Sequence, residues 1–302
     1  MAVLHASQAV DVASSAAVEQ QAVTRQYDEI IAAHYDRDPQ AVTRTALGRA
    51  VQHLQAAGVL DATAPPGTAL DVGLGTGLFL ELLAAQSQRT LLPHGLDVSR
   101  SMAAVACSRI PGLKVAIEDA ARLDSVFVGD AFDLLCTHFV TGFVPLESLA
   151  PMALRKIAPG GYWSFVGGTS AGYPNLRRKA SSGIVRLAAG GRRWRADAGL
   201  TPADTAAVVA LLEKSGFEIV AAETYEPRLR FDDFAQFLEF GYHGGWLTPQ
   251  IEKLGLHRAG PRVRALLDRL VFPIDDCHRI ATVLARRPAA DGPQADATPR
   301  RG

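Results

Sequence analysis

The segment 69–84, with the sequence ALDVGLGTGLFLELLA, constrains the fold of this chain most. It reads as a strand that ends near Asp71, a turn with glycine at 73, 75 and 77, and an apolar helix. Glycine lacks a Cβ and tolerates positive φ, so the turn lets a ligand approach the backbone closely. The free amides at the start of the helix face such a ligand as donors. The segment therefore predicts a ligand held where the strand ends.

The spacing of the glycines narrows the choice of ligand. A dinucleotide fingerprint has the pattern G-x-G-x-x-G. Here the pattern is D-x-G-x-G-x-G, one residue tighter, with an acid two positions before the first glycine. This spacing argues against a nicotinamide dinucleotide, although a glycine turn alone does not identify its ligand.

Strands and helices alternate after this turn. Such alternation predicts an α/β fold whose sheet is parallel and whose crossovers are right-handed. A further helix is predicted from about 202 to 214. The predicted strands are 70–73, 94–98, 113–117, 132–138, 162–167, 217–224 and 279–286.

Three further signals lie at the ends of predicted elements. Asp97 ends the second strand, 20 residues after Gly77, where an acid accepts hydrogen bonds from ribose hydroxyls. Asp119 directly follows the third strand, and a Pro-Gly-Gly turn at 159–161 separates a helix from the fifth strand. Each signal also has a purely structural explanation, as a helix cap, a loop acid or a helix stop.

The four signals in this order resemble the class I S-adenosylmethionine-dependent methyltransferases of the small-molecule type, closely over 65–168 and loosely beyond. The resemblance implies a Rossmann-like seven-stranded sheet, mostly parallel with an antiparallel last strand, and helical lid insertions. It implies S-adenosyl-L-methionine as the cofactor. The residues that it assigns to the cofactor are Tyr35, Asp71, Gly73, Gly75, Gly77, Asp97, Val98, Met102, Asp119, Ala120 and Thr137.

The resemblance also divides the cofactor among these residues. The glycine turn lies under the methionine part and the sulfonium, and Asp71 organises the turn and reaches the amine through water. Asp97 takes the ribose. The pairs that flank the adenine, contact its edge and lie beside the transferred methyl are Val98 with Met102, Asp119 with Ala120, and Thr137 with His138.

The segment after the fourth strand departs from one branch of this family. It reads CTHFVTGFVP and contains no Asn-Pro-Pro-Tyr or Asp-Pro-Pro-Tyr, which argues against methylation of amino groups on nucleic-acid bases or glutamine. His138 is the candidate catalytic base if the acceptor carries a proton, as a phenol or a carbon acid does. A histidine that only donates to a carbonyl or contacts the cofactor is an equal alternative.

Two segments outside the core are expected to cover the site. The N-terminal YDEIIAAHYDRDP resembles lid segments of small-molecule methyltransferases, although helix packing also explains its tyrosines. The segment 231–249, FDDFAQFLEFGYHGGWLTP, concentrates aromatic residues, so it is either core or cover for an apolar ligand. The predicted substrate-binding residues are Tyr27, Phe240, Tyr242, His243 and Trp246.

Composition excludes several classes of function. Lys+Arg and Asp+Glu are both 31, so no global field favours nucleic acid or a membrane. No apolar run approaches the roughly 20 residues of a bilayer span, and no signal-peptide pattern is seen, so a cytoplasmic location is expected. The three scattered cysteines predict neither a disulfide frame nor a metal site.

The region 171–196 holds seven basic residues and no acid. Such a stretch is usually a solvated face, but it also fits an acidic carrier protein or a coenzyme A-linked substrate. RNA is disfavoured, because few aromatic residues interleave with the charges. A homodimer stays open.

The sequence therefore predicts methyl transfer from S-adenosylmethionine to a small, largely apolar acceptor at oxygen, nitrogen or carbon, in specialised metabolism. The alternatives are a cyclisation or decarboxylation on the same fold, a nicotinamide-dependent oxidoreductase, and a non-enzymatic binding module. The predicted parts are an N-terminal helical lid (1–64), a cofactor-binding core (65–168), a basic helical insertion (169–200), the C-terminal part of the core (201–287) with an aromatic helical insertion (227–272), and a disordered tail (288–302).

Overall fold

The computed structural model describes residues 21–22, 24–192 and 201–289. The predictions for residues 1–20, for 193–200 of the basic stretch and for the tail beyond residue 289 therefore lie outside the described residues.

One mixed sheet forms the centre of the molecule. The strands of the described chain are β1 (Gly67–Val72), β2 (Leu91–Asp97), β3 (Lys114–Ile117), β4 (Phe132–His138), β5 (Ile157–Gly168), β6 (Glu218–Tyr225), β7 (Arg228–Phe231), β8 (Ile274–Cys277) and β9 (Ile280–Arg286). Seven of them pair in the order β3-β2-β1-β4-β5-β9-β6. Only β9 runs antiparallel to its neighbours within this sheet. The predicted Rossmann-like sheet with an antiparallel last strand is confirmed.

Helices cover both faces of the sheet. The α-helices of the described chain are α1 (Val42–Ala56), α2 (Leu78–Gln86), α3 (Arg100–Arg109), α4 (Leu146–Lys156), α5 (Pro174–Ala180), α6 (Gly183–Ala188), α7 (Thr205–Lys214), α8 (Phe234–Leu238), α9 (Thr248–Leu254) and α10 (Pro261–Leu270). On one face, α1 packs against β5, β9 and α2. On the other face, α4 packs against β4 and β5, while α7 packs against β6 and β9. Strand β4 is buried on both sides, as its apolar sequence predicts.

From β1 the chain proceeds through β2 and β3 to one edge of the sheet, and it then returns to β4 on the other side of β1. The strand order therefore reverses between β1 and β4. In open α/β sheets, ligands bind in the crevice beyond the carboxyl ends of the strands at such a point. The glycine turn follows β1 directly, so the topology places it at this crevice.

The region 227–272 differs from the prediction at its start. Strands β7 and β8 form a second, two-stranded antiparallel sheet, and the helices α8 to α10 lie between them in the sequence. Phe231 lies in β7, where it and Leu229 are both buried in the core. Phe231 therefore belongs to a strand and not to the helix that contains Phe234. A four-residue strand spans two alternations only, which is too short for its period to be read from sequence. The aromatic side chains on several faces of α8 are buried, as one of the two alternatives required.

The N-terminal region before α1 is not one continuous helix. One turn of π-helix (Tyr27–Ile31) and one turn of 3-10 helix (Tyr35–Arg37) precede α1. Asp38 then caps α1, because its Oδ1 accepts from Val42 N at 2.9 Å and its Oδ2 from Arg44 N at 2.8 Å. We call the residues 27–38 the lid segment. Among the described helices, none has the length and apolar character that a membrane span requires.

Candidate functional site

A cavity opens beyond the carboxyl ends of β1 and β4. The glycine turn forms its floor, and its walls include Tyr35 of the lid segment, Asp71, His138 and Phe139. Five residues predicted from widely separated motifs therefore line one cavity, namely Tyr35, Asp71, Gly73, Gly75 and His138.

The three glycines of the turn serve different purposes. All have positive φ, at 76°, 55° and 78° for Gly73, Gly75 and Gly77. A Cβ on Gly73 would lie 2.6 Å from Val140 Cγ2, and one on Gly77 would lie 3.1 Å from the Cβ of Ala106 in α3, so these two permit close packing. A Cβ on Gly75 meets no described atom within 4 Å. Gly75 is thus the position at which the backbone is open to a ligand.

Asp97 ties the glycine turn to the start of α3. Its Oδ2 accepts from Gly75 N at 2.7 Å, and its Oδ1 accepts from Ser99 N at 2.8 Å. Burial raises the pKa of this carboxyl, and the two backbone amides oppose that rise. A carboxylate oxygen accepts more than one hydrogen bond, so these contacts leave acceptor capacity for ribose hydroxyls. The ribose contact of Asp97 stays a prediction.

Asp71 is the least satisfied group of the cavity. It is 2% exposed, and its Oδ1 accepts no hydrogen bond from any described residue. Burial, with a smaller contribution from Asp97, raises its pKa well above the usual range. Leaving a buried acceptor unpaired costs about 1–3 kcal/mol, so a cationic ligand group here would remove a penalty. This environment fits the amine of an amino-acid ligand.

The lid segment is hydrogen-bonded to the glycine turn and to the loop after β2. Asp28 Oδ1 accepts from Ser99 Oγ at 2.6 Å and from Ser101 N at 3.0 Å. Asp36 accepts from Thr76 Oγ1 at 2.6 Å in the glycine turn and from Arg109 of α3. Neither aspartate was among the predicted site residues, although each directly follows a tyrosine that was.

His138 enters the cavity as a neutral imidazole. Its Nε2 lies 3.0 Å from Ser164 Oγ on β5, and its ring packs edge-on against Phe79 with centroids 4.1 Å apart. Its Nδ1 has no hydrogen-bond partner in the part of the chain that the structure describes. Burial lowers the pKa of His138 to about 3. The side chain is therefore a weak base, which favours the alternative that His138 is not the catalytic base.

Thr137 does not bring its side chain into the cavity. Its Oγ1 accepts from Trp163 Nε1 at 2.9 Å, and Trp163 belongs to the core cluster on the other face of the sheet from His138. Successive residues of a strand point to opposite faces, so only one of the pair at 137–138 could face the ligand. A contact between Thr137 and the cofactor stays a prediction, and only the backbone of Thr137 could make that contact.

The residues predicted around the adenine lie at the ends of β2 and β3. Met102 is fully buried in α3, while Val98 is half-buried. Asp119 begins the 3-10 turn Ala120–Ser125 and accepts from Ala121 N at 2.8 Å. Their contacts with adenine remain predictions.

The predicted substrate-binding residues separate into three groups. Phe240 is 1% exposed and stacks on Trp246 at a centroid distance of 5.7 Å, and Trp246 in turn packs edge-on against the cavity residue Phe139 at 4.9 Å. Tyr27 packs edge-on against Phe143 at 5.7 Å. The remaining two side chains engage carboxylates, Tyr242 with Glu252 at 3.1 Å and His243 with Glu239 at 2.9 Å. Only Trp246 of the aromatic insertion contacts a wall of the cavity through a ring pair.

Two residues beside Trp246 were not assigned to the site from the sequence. His278 lies edge-on to Trp246 at 5.3 Å and stacks on Tyr173 at 4.3 Å. The structure describes no hydrogen-bond partner for Tyr173 Oη or His278 Nδ1. Burial raises the pKa of Tyr173 and lowers that of His278 to about 3, so both are neutral donors or acceptors. Their separation of about a hundred residues gave no sequence signal.

Comparisons with known proteins agree with this geometry. A family model described as a methyltransferase domain matches residues 69–161. Trans-aconitate 2-methyltransferase from Methylobacterium nodulans is 36% identical over 99 residues, which are 32% of this chain and 37% of that protein. The match thus spans little more than a third of the relative.

Two solved structures resemble the whole fold. The YcgJ protein from Bacillus subtilis has a TM-score of 0.52 at 15% identity, over 82% of this chain and 100% of that one. A protein described as a putative methyltransferase from Bacillus halodurans has a TM-score of 0.51 at 15% identity, over 78% and 99% of the two chains. At such identities the likeness concerns the fold.

Proposed function

We propose that this chain, which matches a methyltransferase-domain family model over residues 69–161, is a class I S-adenosylmethionine-dependent methyltransferase that transfers a methyl group from S-adenosyl-L-methionine to a small acceptor. The observation that carries the proposal is the unpaired, buried Asp71 carboxylate beside the open face of Gly75. An ammonium group and a backbone that closely follows the turn are the two features that this pair would accommodate. The cofactor supplies an activated methyl group on a sulfonium.

The chain's own residues hold the two ends of the cofactor apart. Asp71 takes the amine, and the open face of Gly75 lets the amino-acid part approach the backbone. Asp97 receives the ribose hydroxyls while it keeps Gly75 and Ser99 in place. Val98 and Met102 then flank the adenine, and Asp119 with the amide of Ala120 contacts its polar edge.

Orientation and exclusion of water are the main contributions of the protein to the reaction. A sulfonium is already a good leaving group, so alignment of the acceptor accounts for most of the catalysis. Tyr35 of the lid segment and Phe139 line the cavity, where they would shield a bound ligand from solvent. His138, whose pKa burial lowers to about 3, holds the acceptor through Nδ1 and does not draw off its proton.

The acceptor class follows from the surroundings of Trp246. Phe139 lines the cavity and packs against Trp246, so this side of the site is apolar. We expect the acceptor to be a largely apolar small molecule. Such molecules are typical of specialised metabolism, which is the context that we propose.

The basic stretch supports a carrier protein or a coenzyme A-linked substrate only weakly. Arg177 donates to Ser170 O, and Arg178 donates to Asn175 Oδ1 at 2.9 Å, so two of its charges have local contacts. We therefore propose a free small molecule as the acceptor.

The test is a screen of a metabolite library with the full chain and a cofactor whose methyl group carries an isotopic label. We expect a product that gains one labelled methyl group, and we expect Gly75→Val to lose both cofactor binding and product. Tight cofactor binding without any labelled product would support a cyclisation or decarboxylation instead. Tight binding of a nicotinamide dinucleotide without binding of S-adenosylmethionine would support an oxidoreductase.

A further inference from the structure

Two histidines and a glutamate meet where the lid segment contacts the aromatic insertion. His34 lies between the two short helical turns of the lid segment. Glu239 and His243 lie on a turn of π-helix (Glu239–His243) that follows α8. His34 thus lies about 200 residues before the other two in the sequence. Only Glu239 and His243, four residues apart, are near each other in the sequence.

Their potential ligand atoms are close together. His243 Nδ1 lies 2.9 Å from Glu239 Oε2, and His34 Nδ1 lies 3.9 Å from Glu239 Oε1. One ligand atom from each residue can be chosen so that all three lie within 4.8 Å of one another. A tetrahedral zinc ion with bonds of about 2.0–2.1 Å requires ligand atoms roughly 3.3 Å apart. The two printed distances lie on either side of that value. The rings of His34 and His243 are stacked with centroids 5.0 Å apart, so the imidazoles must turn toward a shared ion for both to bind it.

The cluster is sheltered but open on one side. The side chains of His34, Glu239 and His243 are 29%, 32% and 36% exposed. His34 Nδ1 is itself buried and has no hydrogen-bond partner among the described residues, which leaves its lone pair or proton unused. An imidazole nitrogen is a common zinc ligand.

One contact competes with a metal ion. Arg37 Nη1 lies 3.0 Å from Glu239 Oε1, and the Arg37 side chain is 58% exposed. An exposed ion pair contributes about 0–1 kcal/mol, and the long arginine side chain can turn to solvent. Arg37 therefore weakens metal binding without preventing it.

We propose that His34, Glu239 and His243 form a binding site for Zn²⁺ that joins the lid segment to the aromatic insertion. Two imidazoles and a carboxylate suit zinc, and the exposed side leaves a position for water. Because Tyr35 lines the cavity and follows His34 directly, the ion holds the lid segment against the insertion at the mouth of the site. The zinc-binding test does not depend on the proposed methyl transfer.

Calorimetric titration of the full chain, freed of any histidine tag and treated with a chelator, tests the proposal with zinc chloride. We expect one ion to bind per chain. The dissociation constant should rise at least tenfold in His34→Ala and in His243→Ala, and it should fall in Arg37→Gln. His53→Ala is the matched control, because His53 lies on α1 beside Glu223 at 3.5 Å and should leave binding unchanged. Zinc should also raise the melting temperature of the wild type but not of His34→Gln.

Two results would overturn the site. One is the absence of stoichiometric zinc binding in the wild type at micromolar concentrations. The other is equal binding in the wild type, His34→Ala and His243→Ala, with circular dichroism showing that the variants are folded. Neither result bears on S-adenosylmethionine binding, which is measured separately on the same samples.

Discussion

Asp71→Asn probes the anion at the end of β1, since asparagine preserves the shape of the side chain and removes its charge. Asp71 is 2% exposed and its Oδ1 is unpaired among the described residues, so the wild-type group has much to gain from a cationic partner. We expect the variant to bind S-adenosylmethionine more weakly. A hydrogen bond to a charged group contributes about 1.5–3 kcal/mol, which corresponds to a roughly 10- to 150-fold rise in the dissociation constant.

The raised pKa of Asp71 adds a second, independent signature. Without ligand, burial and the neighbouring Asp97 hold its pKa well above the value in an unfolded chain. The folded state therefore binds more protons than the unfolded state between those two pKa values, and this group's contribution to stability falls as the pH rises through that window. A bound ammonium favours the ionised carboxylate. Cofactor binding to the wild type should thus release up to one proton in that window.

Titration calorimetry in buffers of different ionisation heats measures affinity and proton release together. Asp71→Asn should lose both the tight binding and this proton, while Asp61→Asn, an exposed carboxylate in the turn after α1, should match the wild type. If Asp71→Asn binds with the wild-type constant and releases the same proton, the carboxylate does not hold the amine. The methionine end of the cofactor would then lie elsewhere.

Three further substitutions separate the parts of the site. Gly75→Val should abolish cofactor binding in a folded protein, because its side chain enters the open space above the turn. Gly73→Ala should lower the melting temperature, since its Cβ would lie 2.6 Å from Val140 Cγ2 and overpacking costs about 1–3 kcal/mol. The reverse pattern would contradict the two assignments. His138→Gln should slow turnover without moving any inflection of the pH–rate profile between about pH 5 and 8, and the loss of an inflection near the usual histidine pKa would make His138 the base. Asp36→Asn should raise the cofactor dissociation constant about fivefold, for about 1 kcal/mol, because the lid segment loses its charged contact with Arg109; an unchanged constant would show that the lid segment does not influence binding.

The parts of the site that the sequence predicted are those encoded locally. The glycine turn, Asp71 and Asp97 each sit directly at a strand end, where a short motif determines both the backbone and the side-chain direction. The seven-stranded order follows from alternation and from the resemblance together.

Other parts depend on contacts that no short pattern encodes. Strand β7 pairs with β8 across more than forty residues, and His278 reaches Trp246 only once that pairing is formed. Thr137 was placed beside the methyl group with its neighbour, but the alternation of β4 turns it toward Trp163. The low basicity of His138 arises from burial, which a sequence does not report directly.

The two aspartates of the lid segment have a kinetic consequence. Asp28 contacts Ser99 at the loop after β2, and Asp36 contacts Thr76 in the glycine turn, so one short segment links the two loops. Under the proposed function, a spent cofactor would leave after this segment detaches, and such opening steps commonly limit turnover. Added salt weakens the exposed share of these contacts. We therefore expect the protein to exchange S-adenosylmethionine faster, and to retain it less tightly, as ionic strength rises.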